Sequence, residues 1–537
     1  MKKGPIIAVT IWLVIAIAVA AVFKFFVMPQ LNRDKLEQTG SNTKYEHELT
    51  WWGDGFSGYA VARSPEFAAN LRDNGIKMSF KDDQADTEAR IKALRDGKAD
   101  FAFFTLDSFI TNCYELGELP ASIILVGDET QGADAILAWQ DSVGNIQDLN
   151  NPNARIWGIS NSPAEFLPRT MVANFNLPRL SENWFEGADS PDELFSKLRG
   201  SRGEPVAVAM WEPWVSKALE IDGIHSLITS ANVKGFVVDV IVVRRDLITD
   251  NYDLVRDVTE AYLRTQYTYQ SQTSGMQKLV IEDAKALGDR LSDDNANNIV
   301  SGIVWKNTLE NYAHFGLLPR HETGGLDHIE DMIRNILRVL VATGKMPRSN
   351  SIASQTNLLY FDQILAELRR EEFHPGRAVS VVTGPATLGD LNSSMQMDAI
   401  RGVDQLRKLQ DNEWDRLIAV GEFQAKPISF GRGKSTLHIQ AERDLRSLVD
   451  KLKSFPRYYI QVVGSAAYVP PSPDASEEDI RAINQANLEL AQARAKTVAE
   501  RLQSMGIHQN RIRHIAAAQN GSGGSSSVMF IVAQEPY

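Results

Sequence analysis

Four short stretches of the chain carry side chains of the kind that line ligand sites. Gly53-Asp54-Gly55-Phe56-Ser57-Gly58-Tyr59 is a small-residue loop with a carboxylate and aromatics, following a strand-like run from Leu49 to Trp52. Thr105-Leu106-Asp107-Ser108 follows the apolar run Phe101 to Phe104, with Thr105 or Asp107 at a helix-capping position. Ser160-Asn161-Ser162-Pro163 follows Ile156 to Ile159 and places proline in a first helical turn, where free N–H groups and the helix dipole favour an anion. Trp211-Glu212-Pro213-Trp214 follows Val206 to Met210. Trp51, Trp52, Trp211 and Trp214 are suited to wall a cleft, by burying apolar area or by covering a cation. Singly, such aromatics are usually core and such loops usually only caps. Their joint occurrence points to binding.

Chemistry beyond binding finds no support. His314, His321 and His328 recur every seven residues, but Pro319 and Gly324-Gly325 break any helix that would align them, so no metal site is expected. There is no nucleophile elbow, phosphate loop, His-Glu-x-x-His or dinucleotide fingerprint. The single cysteine, Cys113, can form neither an intramolecular disulfide nor a Cys-x-x-Cys site, and its apolar surroundings read as core. No catalytic residue, cofactor or metal is expected, and the chain reads as a non-enzyme.

The elements that position these stretches alternate between short apolar runs and helical patterns. Ile76 to Phe80 reads as a strand, Thr87 to Gly97 as a helix closing on glycine, and Phe101 to Phe104 as a buried strand; Ala154 to Ile159, Val206 to Met210 and Phe236 to Val243 continue the series. Such alternation predicts an α/β fold with parallel sheets covered on both faces. A Pro/Gly/Ser-rich stretch around Gly384-Pro385 and Asn392-Ser393-Ser394 marks an interdomain connection. Beyond it, a smaller unit reads β-α-β-α-β-β. Within its long helix, from about Glu478 to Met505, Asn487, Leu490, Arg494, Ala495 and Val498 share one face.

Lys2 and Lys3 precede an apolar run over residues 5–28 that holds Lys24 but no carboxylate. That length spans a bilayer, and the flanking charge favours a cytoplasmic N-terminus. Ala18-Val19-Ala20 leaves a cleaved signal peptide as the rival reading, although the apolar stretch continues past it. A net charge of -12, from 56 basic and 68 acidic residues, argues against a nucleic-acid partner. The expected organisation is a transmembrane signal anchor over 5–28, a linker over 29–47, a binding domain over 48–372, a second linker over 373–425 and a small domain over 426–537. The expected location is the bacterial inner membrane, single-pass, with most of the chain in the periplasm.

Two resemblances sharpen this reading. On Lys98-Ala99-Asp100-Phe101-Ala102, Gly158-Ile159-Ser160 and Ala209-Met210-Trp211-Glu212-Pro213-Trp214, residues 49–370 resemble type 2 periplasmic substrate-binding proteins of the nitrate/sulfonate/taurine/bicarbonate ABC importers. The resemblance implies a two-lobed clamshell, with one lobe from 49–131 plus 241–370 and the other from 132–240. It closes on a small-molecule ligand, in association with an ABC permease. Implied contacts are Trp52, Gly53, Asp54, Thr105, Asp107, Asn161, Ser162, Trp211, Glu212 and Asp239. The acidic members suit a cationic or amphoteric ligand as well as they suit an anion.

On Ile428-Ser429-Phe430, Asn487, Leu490, Arg494-Ala495 and Gly506-Ile507, residues 426–537 resemble the OmpA-like family, which grips peptidoglycan. That resemblance implies a βαβαββ sandwich and makes Asn487 and Arg494 peptidoglycan-binding residues, while Ala467 stands where the family carries aspartate. The combined expectation is a membrane-anchored solute-binding protein whose OmpA-like module contacts the cell wall or an envelope protein. The alternative is an envelope scaffold whose clamshell binds a protein partner.

Overall fold

Alternating and continuous apolar runs build three sheets in the computed structural model, which describes residues 45–212, 214–350, 352–376, 406–466, 476–517 and 527–535. The apolar segment 5–28, Pro213, Ala467 and residues 377–405 lie outside the described residues. Among those described, no helix is long and apolar enough to cross a membrane.

The chain forms two compact units and passes between them more than once: 45–130, 238–337 and 348–376 belong to the first, while 131–237, 338–347 and the C-terminal part belong to the second. The strands of the non-terminal part are β1 (His47–Gly53), β2 (Ile76–Asp82), β3 (Phe101–Thr105), β4 (Ala121–Thr130), β5 (Asp134–Trp139) and β6 (Arg155–Gly158). They continue as β7 (Phe185–Gly187), β8 (Val206–Trp211), β9 (Ile224–Thr229), β10 (Val238–Arg244) and β11 (Ile303–Trp305). The first unit's sheet has the order β11-β4-β10-β3-β1-β2, and the second unit's has β7-β6-β8-β5-β9.

Both sheets follow one plan. A parallel trio (β2-β1-β3, β7-β6-β8) is joined by an antiparallel strand, β10 or β5, which in turn pairs with an antiparallel neighbour. The all-parallel expectation is therefore corrected to mixed sheets. The reason lies in connectivity: β10 enters the first unit directly from the second, and β5 the reverse, so no crossover helix sets their direction.

Trp51, offered above as a cleft wall, is core. It is 1% exposed and packs against Phe101 and Phe103 at ring-centroid distances of 5.2 and 5.0 Å, with Phe67 and Tyr262 beyond. Two helices matter for the site edge of this unit, α1 (Thr87–Arg95) and α2 (Leu106–Leu116), and one in the second unit, α3 (Pro163–Asn174).

The C-terminal module contributes β12 (Ile418–Gly421), β13 (Ile428–Ser429), α4 (Ile439–Ser454), β14 (Tyr459–Gly464), α5 (Glu477–Ser504), β15 (Ile512–Ala516) and β16 (Ser527–Gln534). Its sheet runs β12-β16-β14-β15, with β13 also on β16, and only β14 and β15 are parallel. Ser476 and Asp479 form a capping box that starts α5. Ala491, Ala495, Val498 and Leu502 bury one face of that helix. Seating is close enough that a Cβ on Gly464 would lie 2.1 Å from the Ala491 carbonyl oxygen. Gly464→Ala is therefore expected to push α5 off β14 and destabilise the module by about 1–3 kcal/mol. A denaturant titration of the full chain reads this, and an unchanged module transition would contradict the close packing.

Candidate functional site

At the edge of the first unit, polar groups at strand ends are drawn together by buried charge. Arg90 on α1 is 1% exposed. It donates through Nε and Nη2 to both carboxylate oxygens of Asp83 at 2.6 Å, through Nη2 to Asp54 at 2.9 Å and through Nη1 to the Phe103 carbonyl at 2.6 Å. Burial pushes the Asp83 carboxyl up to about 6 against the pull of this guanidinium. Arg63 forms a second bidentate pair with Asp283, at 2.8 and 2.6 Å, and also holds the Asp54 and Phe56 carbonyls. The loop Asp54–Phe56 is thus fixed from two sides.

Across the sheet, Asp239 opens β10 opposite Thr105 and accepts the Tyr59 hydroxyl at 2.5 Å. Burial and the Asp239 charge raise the Tyr59 pKa well above its usual value, so the phenol stays protonated as a donor. Thr105 Oγ1 bonds Ser108 Oγ at 2.8 Å, and Asp107 is buried in the first turn of α2. Trp52 and Gly53 end β1; the Lys81 ammonium covers the Trp52 ring at 4.0 Å. Lys306 and Glu129 make a further buried pair at 2.6 Å. Asp54, Thr105, Asp107 and Asp239 therefore share this edge with Trp52 and Gly53.

In the second unit, Asn161 and Ser162 lead into α3. Ser162 caps the helix by accepting the Ala164 N–H. Asn161 adopts a left-handed φ of 55° and gives its N–H to Glu165 Oε2 at 2.7 Å. Lys345 Nζ donates to Asn161 Oδ1 at 2.7 Å, and Arg169 pairs with Glu165 at 2.6 Å. A carboxylate of the chain thus occupies a position at this helix start where an anionic ligand would be favoured. Trp211 ends β8, and Glu212 turns back to accept the Ser216 N–H and hydroxyl at 3.1 and 2.8 Å. Burial raises the Glu212 pKa against those two bonds.

In the module, Arg494 is 0% exposed. It donates to the backbone carbonyls of Lys434 and Ser465, both at 2.9 Å, and of Gly431 at 3.2 Å, over the Phe430 ring. Asn487, seven residues earlier, is half-buried on the same helix. Arg511 does a similar job at the end of α4: Nε, Nη1 and Nη2 reach the carbonyls of Tyr458, Leu452 and Phe455.

Arg90, Tyr59, Glu165, Arg169 and Lys345 were not among the sequence candidates. Only Arg90 leaves a local signal: it falls on the α1 face of Ala93 and Leu94, where an unpaired charge would be costly.

Residues 429–526 match the OmpA family model. A comparison of the whole sequence with curated proteins found no match. Among solved structures, the chain is similar to the periplasmic aliphatic sulphonate binding protein SsuA from Escherichia coli, at 14% identity and a TM-score of 0.45, over 59% of this chain and 99% of that one. It is also similar to the periplasmic nitrate-binding protein NrtA from Synechocystis, at 11% identity and a TM-score of 0.42, over 61% and 89%. A third neighbour is the desulfurization enzyme DSZB, at 14% identity and a TM-score of 0.41, over 61% and 100%.

Among the described residues, no group of His, Cys, Asp and Glu is placed to hold a metal ion. Of the three spaced histidines, His314 is buried and uses Nδ1 on the Asp327 carbonyl at 2.8 Å, His328 lies against Gly316, and His321 is exposed beside Glu322. Burial, with the Lys306 charge, lowers the His314 pKa to about 4. Between about pH 6.5 and 4 the unfolded chain takes up a proton that the folded chain refuses. Stability should therefore be flat above that window and fall by on the order of 3 kcal/mol across it. His314→Asn, which keeps a donor, should flatten this contribution in urea titrations against pH; an identical slope in the variant would remove His314 as its source.

Proposed function

We propose that the chain is an envelope solute-binding protein, a two-lobed receptor for a small ligand whose OmpA-family module contacts peptidoglycan or an envelope protein. The carrying observation is the shared plan of the two α/β sheets, each completed by a strand arriving from the other unit. Two such lobes joined by repeated crossovers suit hinged closure on a ligand. Sequence candidates gather at one sheet edge in the first unit and at strand ends in the second. The OmpA match over 429–526 supports the wall-facing role. On this reading, residues 5–28 anchor the chain in the inner membrane and an ABC permease receives the ligand. The acidic groups, with Glu165 already at the start of α3, favour a cationic or amphoteric ligand over nitrate or a sulfonate.

A specific observation also favours the scaffold reading. Asp54, Thr105, Asn161 and Glu212 each bond a side chain of their own unit, namely Arg90, Ser108, Lys345 and Ser216. Thermal shift of the full chain separates the two. A receptor is expected to be stabilised by one class among amines, amino acids, sulfonates and nitrate, by about 2.7 kcal/mol at a hundredfold excess over Kd. Silence across all four classes, with a protein co-purifying stoichiometrically, would favour the scaffold.

For the module, the full chain is expected to sediment with purified peptidoglycan. Arg494→Lys keeps the charge but loses the fork, and should lower the module's melting temperature before it lowers wall retention in the still-folded fraction. Retention lost with unchanged melting would instead make Arg494 a direct ligand of the wall.

A further inference from the structure

The C-terminal module meets the rest of the second unit along a seam built from both chain segments. Phe175, which ends α3 in extended conformation, packs against Phe423 and Phe455 at centroid distances of 5.1 and 5.7 Å, and those two rings meet at 5.4 Å. All three are buried, at 1%, 5% and 0% exposure. Around them the backbone pairs in antiparallel fashion: Asn176 N–H donates to the Glu422 carbonyl at 2.8 Å, and Gln424 N–H to the Asn174 carbonyl at 2.7 Å. Lys234 N–H reaches the Ser454 carbonyl at 3.0 Å, and Gln147 Nε2 the Asn176 carbonyl at 3.0 Å.

Two of the rings are each held from their own side. Arg511 pins the Phe455 carbonyl, and Tyr458 stacks on the Phe455 ring at 5.6 Å, tying that residue to the module core. Phe175 terminates the helix that Ser162 caps at its start, next to Asn161. Gly421 sits where a Cβ would meet Phe175 at 3.2 Å, so the segment entering the module lies directly on this ring.

We propose that the OmpA-family module is a fixed extension of the second lobe, seated by the Phe175–Phe423–Phe455 seam, and not a domain swinging on a tether. Whatever the clamshell binds, the module then moves with α3 and the sheet beneath it. This holds independently of the solute-binding reading, because the seam involves none of the candidate ligand residues.

Two measurements on the full chain test it. Amides of Asn176 and Gln424, the two donors of the bridge, should exchange slowly in hydrogen exchange, and Phe423→Ser should accelerate both by roughly tenfold or more. Spin labels at Glu182→Cys and Ser447→Cys, both exposed, report the geometry directly, since Cys113 is buried and stays unlabelled. One narrow distance distribution is expected, broadening in Phe423→Ser. A broad distribution in the otherwise unaltered chain would overturn the proposal without relying on the variant's folding. So would a narrow one that Phe423→Ser leaves unchanged.

Discussion

A guanidinium cannot be buried without acceptors for its fork, and the edge of the first unit is organised by that constraint. Arg90 satisfies it with Asp83, Asp54 and the Phe103 carbonyl, which come from the chain after β2, after β1 and from within β3. Two strand ends are thereby tied to the middle of a third strand. Removing one partner from such a buried pair typically costs about 3–5 kcal/mol, whereas forming the pair contributes much less, so the network fixes geometry more than it adds stability. Arg63 with Asp283 repeats the device across 220 residues of sequence. The loop Asp54–Phe56 between the two guanidiniums is consequently held in one conformation by contacts from both sides.

The elements were legible because their signals are local. Apolar runs gave β3 and β8 nearly to the residue, and the Ser162-Pro163 pair gave the start of α3. Partnerships were not legible, because nothing near Tyr59 points to Asp239, and nothing near Asn161 points to Lys345, 184 residues away. Strand direction failed for the same reason: whether β10 runs parallel depends on where the chain has been, which no window of residues records. Trp51 and Trp52 show the limit at its smallest. They are adjacent and identical in type, yet the pleat sends one into the aromatic core and the other toward Lys81.

In the module, the spacing of residues gives the helix face of Arg494 but not the groups that surround it. Spacing placed Arg494 on the helix face of Ala495 and Val498, and both of those are buried against the sheet. An arginine on that face must be satisfied internally, and backbone carbonyls at Gly431, Lys434 and Ser465 do it. The side chain therefore joins the turn after β13 to the end of β14. Such a pin fixes the backbone of both segments at once, whatever the module meets.

The same reasoning gives α3 its importance. The helix is twelve residues long, about 18 Å at 1.5 Å per residue. Its start is clamped by Glu165, Arg169 and Lys345, and its last turn by Asn174, Phe175 and the module's own strand-like segment. The helix is buried along most of its length and held at both ends, although Pro168 within it leaves one turn without its backbone N–H donor. One helix thus joins the Ser160–Ser162 loop at its start to the aromatic seam at its end, which is the geometry on which the proposed fixed seat of the module rests.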